Sequence, residues 1–205
     1  MQPGAEPGRS DERAEGRYRD FGRACGEANV CRAQGGPSLS AFIQDILHRP
    51  EGKTLEFKRD FSSPKPVLKT LVAFANSAGG FLVLGVDDDR RIVGVEHPLD
   101  EEERLCNMIA DTISPRLVPG VELVTVEDKT LLVVEVYPSG QRPHWLKAHG
   151  PDEGVLVRLG STNRQADREL VAELRRTAEG VGFDELVMPA LSKNDLDLEA
   201  AQRLF

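Results

Sequence analysis

Residues 73–86, Ala-Phe-Ala-Asn-Ser-Ala-Gly-Gly-Phe-Leu-Val-Leu-Gly-Val, join the end of an amphipathic segment to a short apolar run. The apolar residues from Val67 to Ala75 recur at the helical period, and prolines at 64 and 66 fit the first turn of a helix. Asn76–Gly80 ends this helix, because Gly79 and Gly80 readily take positive φ angles. The run 81–86 is typical of a buried strand. The stretch therefore predicts a helix followed by a core strand.

The chain on both sides of this stretch adds further predicted elements. They are a capped helix from Ser38 to Leu47, a strand over 53–59, a hairpin over 81–95, a helix over 101–113, strands over 121–126, 130–137 and 154–159, and a helix from Ala166. This order predicts one α+β or mixed α/β domain over residues 38–180, with a mixed sheet flanked by helices.

The two ends of the chain read differently from the middle. Residues 1–37 are rich in glycine, arginine and acids without an apolar period, which predicts a disordered arm. Residues 181–205 predict a linker and the start of a truncated or C-terminal helix. We therefore expect a further C-terminal domain in a longer protein.

The composition limits the classes of function. The 205 residues carry a net charge of −8, which argues against coating nucleic acid by bulk charge. The acidic excess lies in 101–140 and 181–205, so a local basic patch stays possible. No run approaches the ~20 apolar residues of a membrane span. Three cysteines without a C-x-x-C pattern predict a reducing cytoplasm and no zinc site, with Cys106 as a small core residue.

Glu51 and the strand motif Glu56-Phe57-Lys58 are the first candidate site. Glu56 and Lys58 share one face of a strand, while Phe57 points to the core. Glu51 can fold back across Gly52, and an aspartate at the end of the next strand would complete a carboxylate cluster. Hard oxygen ligands of this kind suit Mg²⁺ or Mn²⁺. The alternative is a solvated strand face with an ordinary Glu–Lys pair.

The segment Arg158–Ala166 is the second candidate site. Ser161, Asn163 and backbone N–H groups lie beside Arg158 and Arg164, a combination typical of phosphate contacts. The alternative is an ordinary strand-to-helix loop in which Asp167 caps the helix. The sequence contains no Walker A motif and no G-x-G-x-x-G motif, so it gives no support for ATP binding.

Four motifs in order, at 55–58, 73–80, 84–88 and 158–163, resemble the Schlafen-type AlbA-like domain, also called a divergent AAA domain. The resemblance covers roughly residues 40–178. It implies a mixed α/β fold, nucleic acid as the partner, and a place in the N-terminal part of a bacterial regulator-like protein. Vertebrate Schlafen proteins carry an RNA endonuclease site with three carboxylates, which correspond here to Glu51, Glu56 and Asp87. Those proteins pair two lobes and hold zinc, and this chain departs from both features.

Three functions follow as expectations. The first is the nucleic-acid-binding domain of a bacterial transcriptional regulator, which contacts DNA or RNA through Lys58, Arg158, Ser161, Asn163 and Arg164. The second is a metal-dependent endoribonuclease that uses Glu51, Glu56 and Asp87 with Lys58, through a homodimer that pairs two lobes. The third is a nucleotide-binding or protein-interaction domain.

Overall fold

The computed structural model describes residues 39–180. In this range the helices are α1 (Leu39–Leu47), α2 (Pro64–Ala75), α3 (Pro98–Thr112), α4 (Gly150–Glu153) and α5 (Arg168–Glu179), with a 3₁₀ turn at Lys147–His149. The strands are β1 (Leu55–Lys58), β2 (Gly80–Leu84), β3 (Ile113–Ser114), β4 (Gly120–Val126), β5 (Lys129–Val136), β6 (Trp145–Leu146), β7 (Leu156–Leu159) and β8 (Thr162–Gln165). The arm and the linker predicted for 1–37 and 181–205 lie outside the described residues.

The main sheet has four strands in the order β1-β2-β5-β4. Strand β1 runs parallel to β2, whereas β2 and β4 both run antiparallel to β5. Helix α2 makes the connection that parallel neighbours require. The predicted α+β fold with a mixed sheet is confirmed. Two small sheets, β3-β6 and β7-β8, lie beside it.

Each face of the main sheet packs against helices. One face buries β2 and β5 side chains such as Leu82 and Val134 against α2 and α3. The other face buries Phe57 and Val83 against α1, whose Ile43 and Ile46 are fully buried. Phe57 is 5% exposed, so its predicted place in the core is confirmed. Glu56 therefore points to the α2 side of the sheet, because successive strand residues alternate.

The predicted hairpin over 81–95 is reduced to one bridge between Val86 and Ile92. The reason is local backbone geometry. Gly85 and Gly94 have φ angles of 100° and 78°, which bend the chain out of an extended ladder. The carbonyl of Gly85 accepts hydrogen bonds from the N–H groups of Val93 and Gly94 instead.

Two further predictions are corrected. Residues 162–165 form strand β8, paired with β7, where the sequence suggested a loop. Cys106 is exposed rather than part of the core. Its neighbour Leu105 and Ile109 one turn later form the buried stripe of α3, and a residue one position away from Leu105 faces a different direction.

Candidate nucleic-acid interface

Glu56 forms a buried ion pair at the centre of the candidate site. Its side chain is 10% exposed and lies on the face of β1 that α2 covers. One carboxylate oxygen accepts a hydrogen bond from Arg158, and the other accepts one from Lys58 Nζ at 2.6 Å. Both oxygens of Glu56 thus have a cationic partner.

Arg158 is enclosed by the fold. Its side chain is 1% exposed, and its Nε and Nη1 donate to the Gly52 carbonyl at 3.0 Å and to Asn163 Oδ1 at 2.9 Å. The guanidinium also lies 5.2 Å from the ring centroid of Phe74. Arg158 therefore has no free donor at the surface, and the prediction that it contacts a phosphate is corrected: it is a structural residue.

The inner face of the hairpin β7–β8 is fastened to α2. Asn163, which pairs with Arg158 across the hairpin, donates from Nδ2 to Thr70 Oγ1 at 3.0 Å. The backbone N–H of Arg158 donates to Ser77 Oγ at 2.9 Å. The predicted contact residue Asn163 is thus half-buried and already bonded to its neighbours.

The segment 73–80 is a packing motif. Asn76 is 3% exposed, donates to the carbonyls of His144 and Leu156, and accepts from the N–H of His144. Gly79 has a φ of +75°, and a Cβ there would lie 2.5 Å from the Val136 carbonyl oxygen. The motif joins α2, β5 and the hairpin, so its residue types follow from close packing.

Each of the three carboxylates predicted to hold Mg²⁺ or Mn²⁺ already accepts a hydrogen bond within the protein. Glu51 accepts the N–H of Phe57 at 2.9 Å, and Asp87 accepts the N–H of Arg91 at 2.8 Å. Both oxygens of Glu56 accept hydrogen bonds from cationic side chains, so a metal ion would compete with Lys58 and Arg158 for this carboxylate. Within residues 39–180 there is no group of three or more His, Cys, Asp or Glu side chains placed to hold a metal.

Exposed cations lie on the three elements that this buried pair and its neighbours connect, namely β1, α2 and the hairpin β7–β8. Helix α2 carries Lys65 and Lys69 on its exposed surface, and Lys69 directly precedes Thr70, the residue that Asn163 contacts. Lys58 is 33% exposed. On the hairpin, Ser161 at the tip and Arg164 on β8 are exposed. The sequence reasoning missed both helix lysines, although the absence of any acid in α2 was a signal that could have found them.

His144 is a buried histidine beside the packing motif. Its Nδ1 lies 2.9 Å from the Pro115 carbonyl oxygen, and its Nε2 lies 2.7 Å from Ser139 Oγ. A carbonyl can only accept, so Nδ1 carries the proton and Nε2 accepts from the serine hydroxyl. Burial lowers the pKa of His144, and the hydrogen bond to Pro115 opposes this effect in part.

The chain belongs to the Schlafen, AlbA_2 family, whose family model matches residues 51–167. It is similar to the solution NMR structure of the N-terminal domain of a RecG-related protein from Nitrosomonas europaea, with 31% identity and a TM-score of 0.50. That match covers 64% of this chain and 94% of the other.

The crystal structure of the DIP2311 protein from Corynebacterium diphtheriae is similar in fold. Its identity is 20% and its TM-score 0.50, over 70% of this chain and 28% of that protein. No curated protein gives a significant match. None of the helices within residues 39–180 has both the length and the apolar character needed to cross a membrane.

Proposed function

We propose that this domain binds nucleic acid by its phosphate backbone, without cleaving it. One observation carries the proposal. Helix α2 and the hairpin β7–β8 expose three cations, Lys65, Lys69 and Arg164, and contain no Asp or Glu, in a chain whose net charge is −8. Phosphate contacts by Lys and Arg supply most of the affinity in sequence-independent binding. The RecG-related neighbour supports a role connected with nucleic acid.

The contacts proposed from this surface are Lys58, Lys65, Lys69, Ser161 and Arg164. Lys69 and Arg164 are exposed to solvent. Lys58 is 33% exposed, and its ammonium also donates to Glu56. The wider context is part of the same proposal: a cytoplasmic bacterial regulator, acting as a homodimer and continued by a C-terminal domain. This context rests on the family resemblance alone.

The other two functions have weaker support. The endoribonuclease requires Glu51, Glu56 and Asp87 to share a metal ion, and the partners of these carboxylates argue against that. A nucleotide-binding role has no phosphate-binding loop behind it. Binding to a phosphate backbone without cleavage needs only exposed cations such as Lys65, Lys69 and Arg164.

Charge reversal tests the proposal. Lys69→Glu and Arg164→Glu in the full chain should each weaken binding of a labelled DNA duplex and lower its salt dependence, measured by fluorescence anisotropy. Removal of one phosphate interaction should reduce the slope of log K against log salt by about 0.9.

Arg91→Glu is the matched control. Arg91 is exposed and lines the groove on the α1 side of the sheet, away from α2. The Arg91→Glu variant should leave the DNA affinity and its salt dependence unchanged. If all three variants weaken binding equally, the effect comes from net charge and the proposed interface is wrong. Absence of any binding by the unmodified chain to DNA or RNA would refute the function itself.

A further inference from the structure

Leu159 is a large apolar side chain that the fold leaves in solvent. It is 69% exposed and ends strand β7, just before the turn at Gly160 and Ser161. The turn projects outward, since a Cβ added at Gly160 would meet no other part of the protein within 4 Å. A single exposed leucine is common on protein surfaces, so whether Leu159 marks a binding surface depends on the residues around it.

The register of the hairpin places Leu159 beside a cation. Leu159 pairs with Thr162, and Val157 pairs with Arg164. Paired residues point to the same face of an antiparallel ribbon, so Leu159 and Arg164 share the face opposite Arg158, here called the outer face. Val157 on this face packs against the cluster around Val171, whereas Leu159 and Arg164 are exposed. Arg158 and Asn163 occupy the inner face. The outer face therefore presents an apolar tip with an arginine diagonally behind it, on a hairpin without carboxylates.

The inner contacts hold this tip in a fixed position. Arg158 bonds to Gly52 and Glu56, and Asn163 bonds to Thr70, so the hairpin is anchored at both strands. The side chain of Thr162 closes the turn by donating to the Leu159 carbonyl at 2.9 Å. A tip that is ordered before binding loses little conformational freedom when it meets a ligand.

We infer that Leu159 is a wedge that enters a base step of double-stranded DNA while Arg164 holds a neighbouring phosphate. This inference deepens the proposed function and rests on it. Proteins that bind the minor groove insert apolar side chains such as leucine between base pairs and unstack them. Flexible steps such as TA yield most readily. Binding of single strands relies on aromatic stacking, and residues 156–165 contain no aromatic residue.

Unstacking provides the direct test. The full chain is titrated into a duplex whose central TA step contains 2-aminopurine, a base that becomes brighter when unstacked. The unmodified protein should raise the fluorescence. Leu159→Ser should abolish the rise and weaken binding about tenfold, because the wedge no longer buries an apolar side chain.

Leu99→Ser is the matched control, since Leu99 is 72% exposed on α3. It should behave as the unmodified chain does in both measurements. Leu159→Ser should also keep the original salt slope, because a leucine neutralises no phosphate, whereas Arg164→Gln should lower the slope by about 0.9. A thermal melt of each variant shows whether the fold is intact.

The outcomes separate the two claims. If the unmodified chain binds neither DNA nor RNA, the proposed function fails together with the wedge. If duplex DNA binds with the expected salt slope but Leu159→Ser changes neither affinity nor fluorescence, only the wedge is refuted. If Leu159 matters but single-stranded DNA or duplex RNA binds more tightly than duplex DNA, the assignment to duplex DNA is refuted.

Discussion

The two faces of the hairpin β7–β8 carry one arginine each and use it in opposite ways. Arg158 on the inner face is 1% exposed on its side chain and is bonded to a carboxylate, a carbonyl and an amide. Arg164, on the outer face of the neighbouring strand, is exposed to solvent. The inner arginine joins the hairpin to β1, and the outer one is available to a ligand.

This difference shows that a cluster of cations in a sequence does not by itself mark a binding surface. Both arginines lie in one short segment, and charge alone cannot distinguish them. Strand register does distinguish them, because side chains alternate between the faces. The same argument separates Glu56, which faces α2, from Phe57, which faces α1.

The largest expected effect is a loss of stability when the inner arginine, Arg158, is replaced. Arg158→Met should destabilise the protein by about 3–5 kcal/mol, because it leaves Glu56 buried with Lys58 as its remaining cationic partner. Arg164→Met should change the free energy of unfolding by no more than about 0.5 kcal/mol, as exposed substitutions usually do. Urea unfolding of both variants measures the contrast, and equal effects would contradict it.

A smaller loss is expected at the partner of Arg158. Glu56→Gln should destabilise the protein by about 1.5–3 kcal/mol, since hydrogen bonds to a charged group are removed while the volume stays similar. A cluster of repelling carboxylates would predict the opposite sign, because removal of one charge would relieve repulsion.

Millimolar Mn²⁺ adds a second measurement to the same variant. The unmodified chain should keep its melting temperature in Mn²⁺, because the Glu56 oxygens already accept hydrogen bonds from Lys58 and Arg158. A clear rise in the unmodified chain that disappears in Glu56→Gln would restore the metal site and the nuclease interpretation.

Periodicity is enough to predict much of the fold. The helical spacing of Val67 to Ala75 and the buried run 81–86 correspond to α2 and β2. The alternation of a single strand correctly places Phe57 in the core. These predictions succeed because each depends on contacts between residues close in sequence or on one buried face.

The candidate site is less accessible to sequence reasoning. Glu56 and Arg158 are 102 positions apart, and their pairing depends on how the hairpin docks on α2. From the sequence alone, Glu56 is grouped with Glu51 and Asp87, because several carboxylates near one point are typical of a metal site. Strand β8 escapes prediction because its residues 162–165 are polar, and a short polar strand has no apolar alternation.

A third prediction concerns pH and the buried side of the hairpin. His144, whose backbone is bonded to Asn76, has a lowered pKa because it is buried. An unfolded histidine titrates near 6.5, so below that pH the unfolded chain binds a proton that the folded chain does not. Stability should therefore be complete above about pH 6.5 and decline as the pH falls below it.

Urea unfolding at several pH values between 8 and 5 measures this decline, and His144→Gln is the comparison variant. The substitution should lower stability at pH 8, because the ring hydrogen bonds are removed, and should flatten the slope between pH 6.5 and 5. Asp60, whose pKa is lowered chiefly by its hydrogen bonds to Ser62, titrates at lower pH and should not affect this window. An unchanged slope in His144→Gln would contradict the assignment.

The smallest effect on stability is expected at Lys58, which contacts the buried Glu56 but is also partly exposed to solvent. Its ammonium donates to buried Glu56, yet its side chain is 33% exposed. Partly exposed ion pairs contribute little, so Lys58→Ala should cost less than about 1 kcal/mol. If Lys58 also touches a phosphate, DNA affinity should fall and the salt slope should decrease by about 0.9.

The two variants should then affect different properties: Arg158→Met lowers the stability of the fold, and Lys58→Ala weakens DNA binding. A loss of stability in Lys58→Ala as large as in Arg158→Met would instead assign Lys58 to the inner scaffold, and unchanged DNA binding would remove it from the interface.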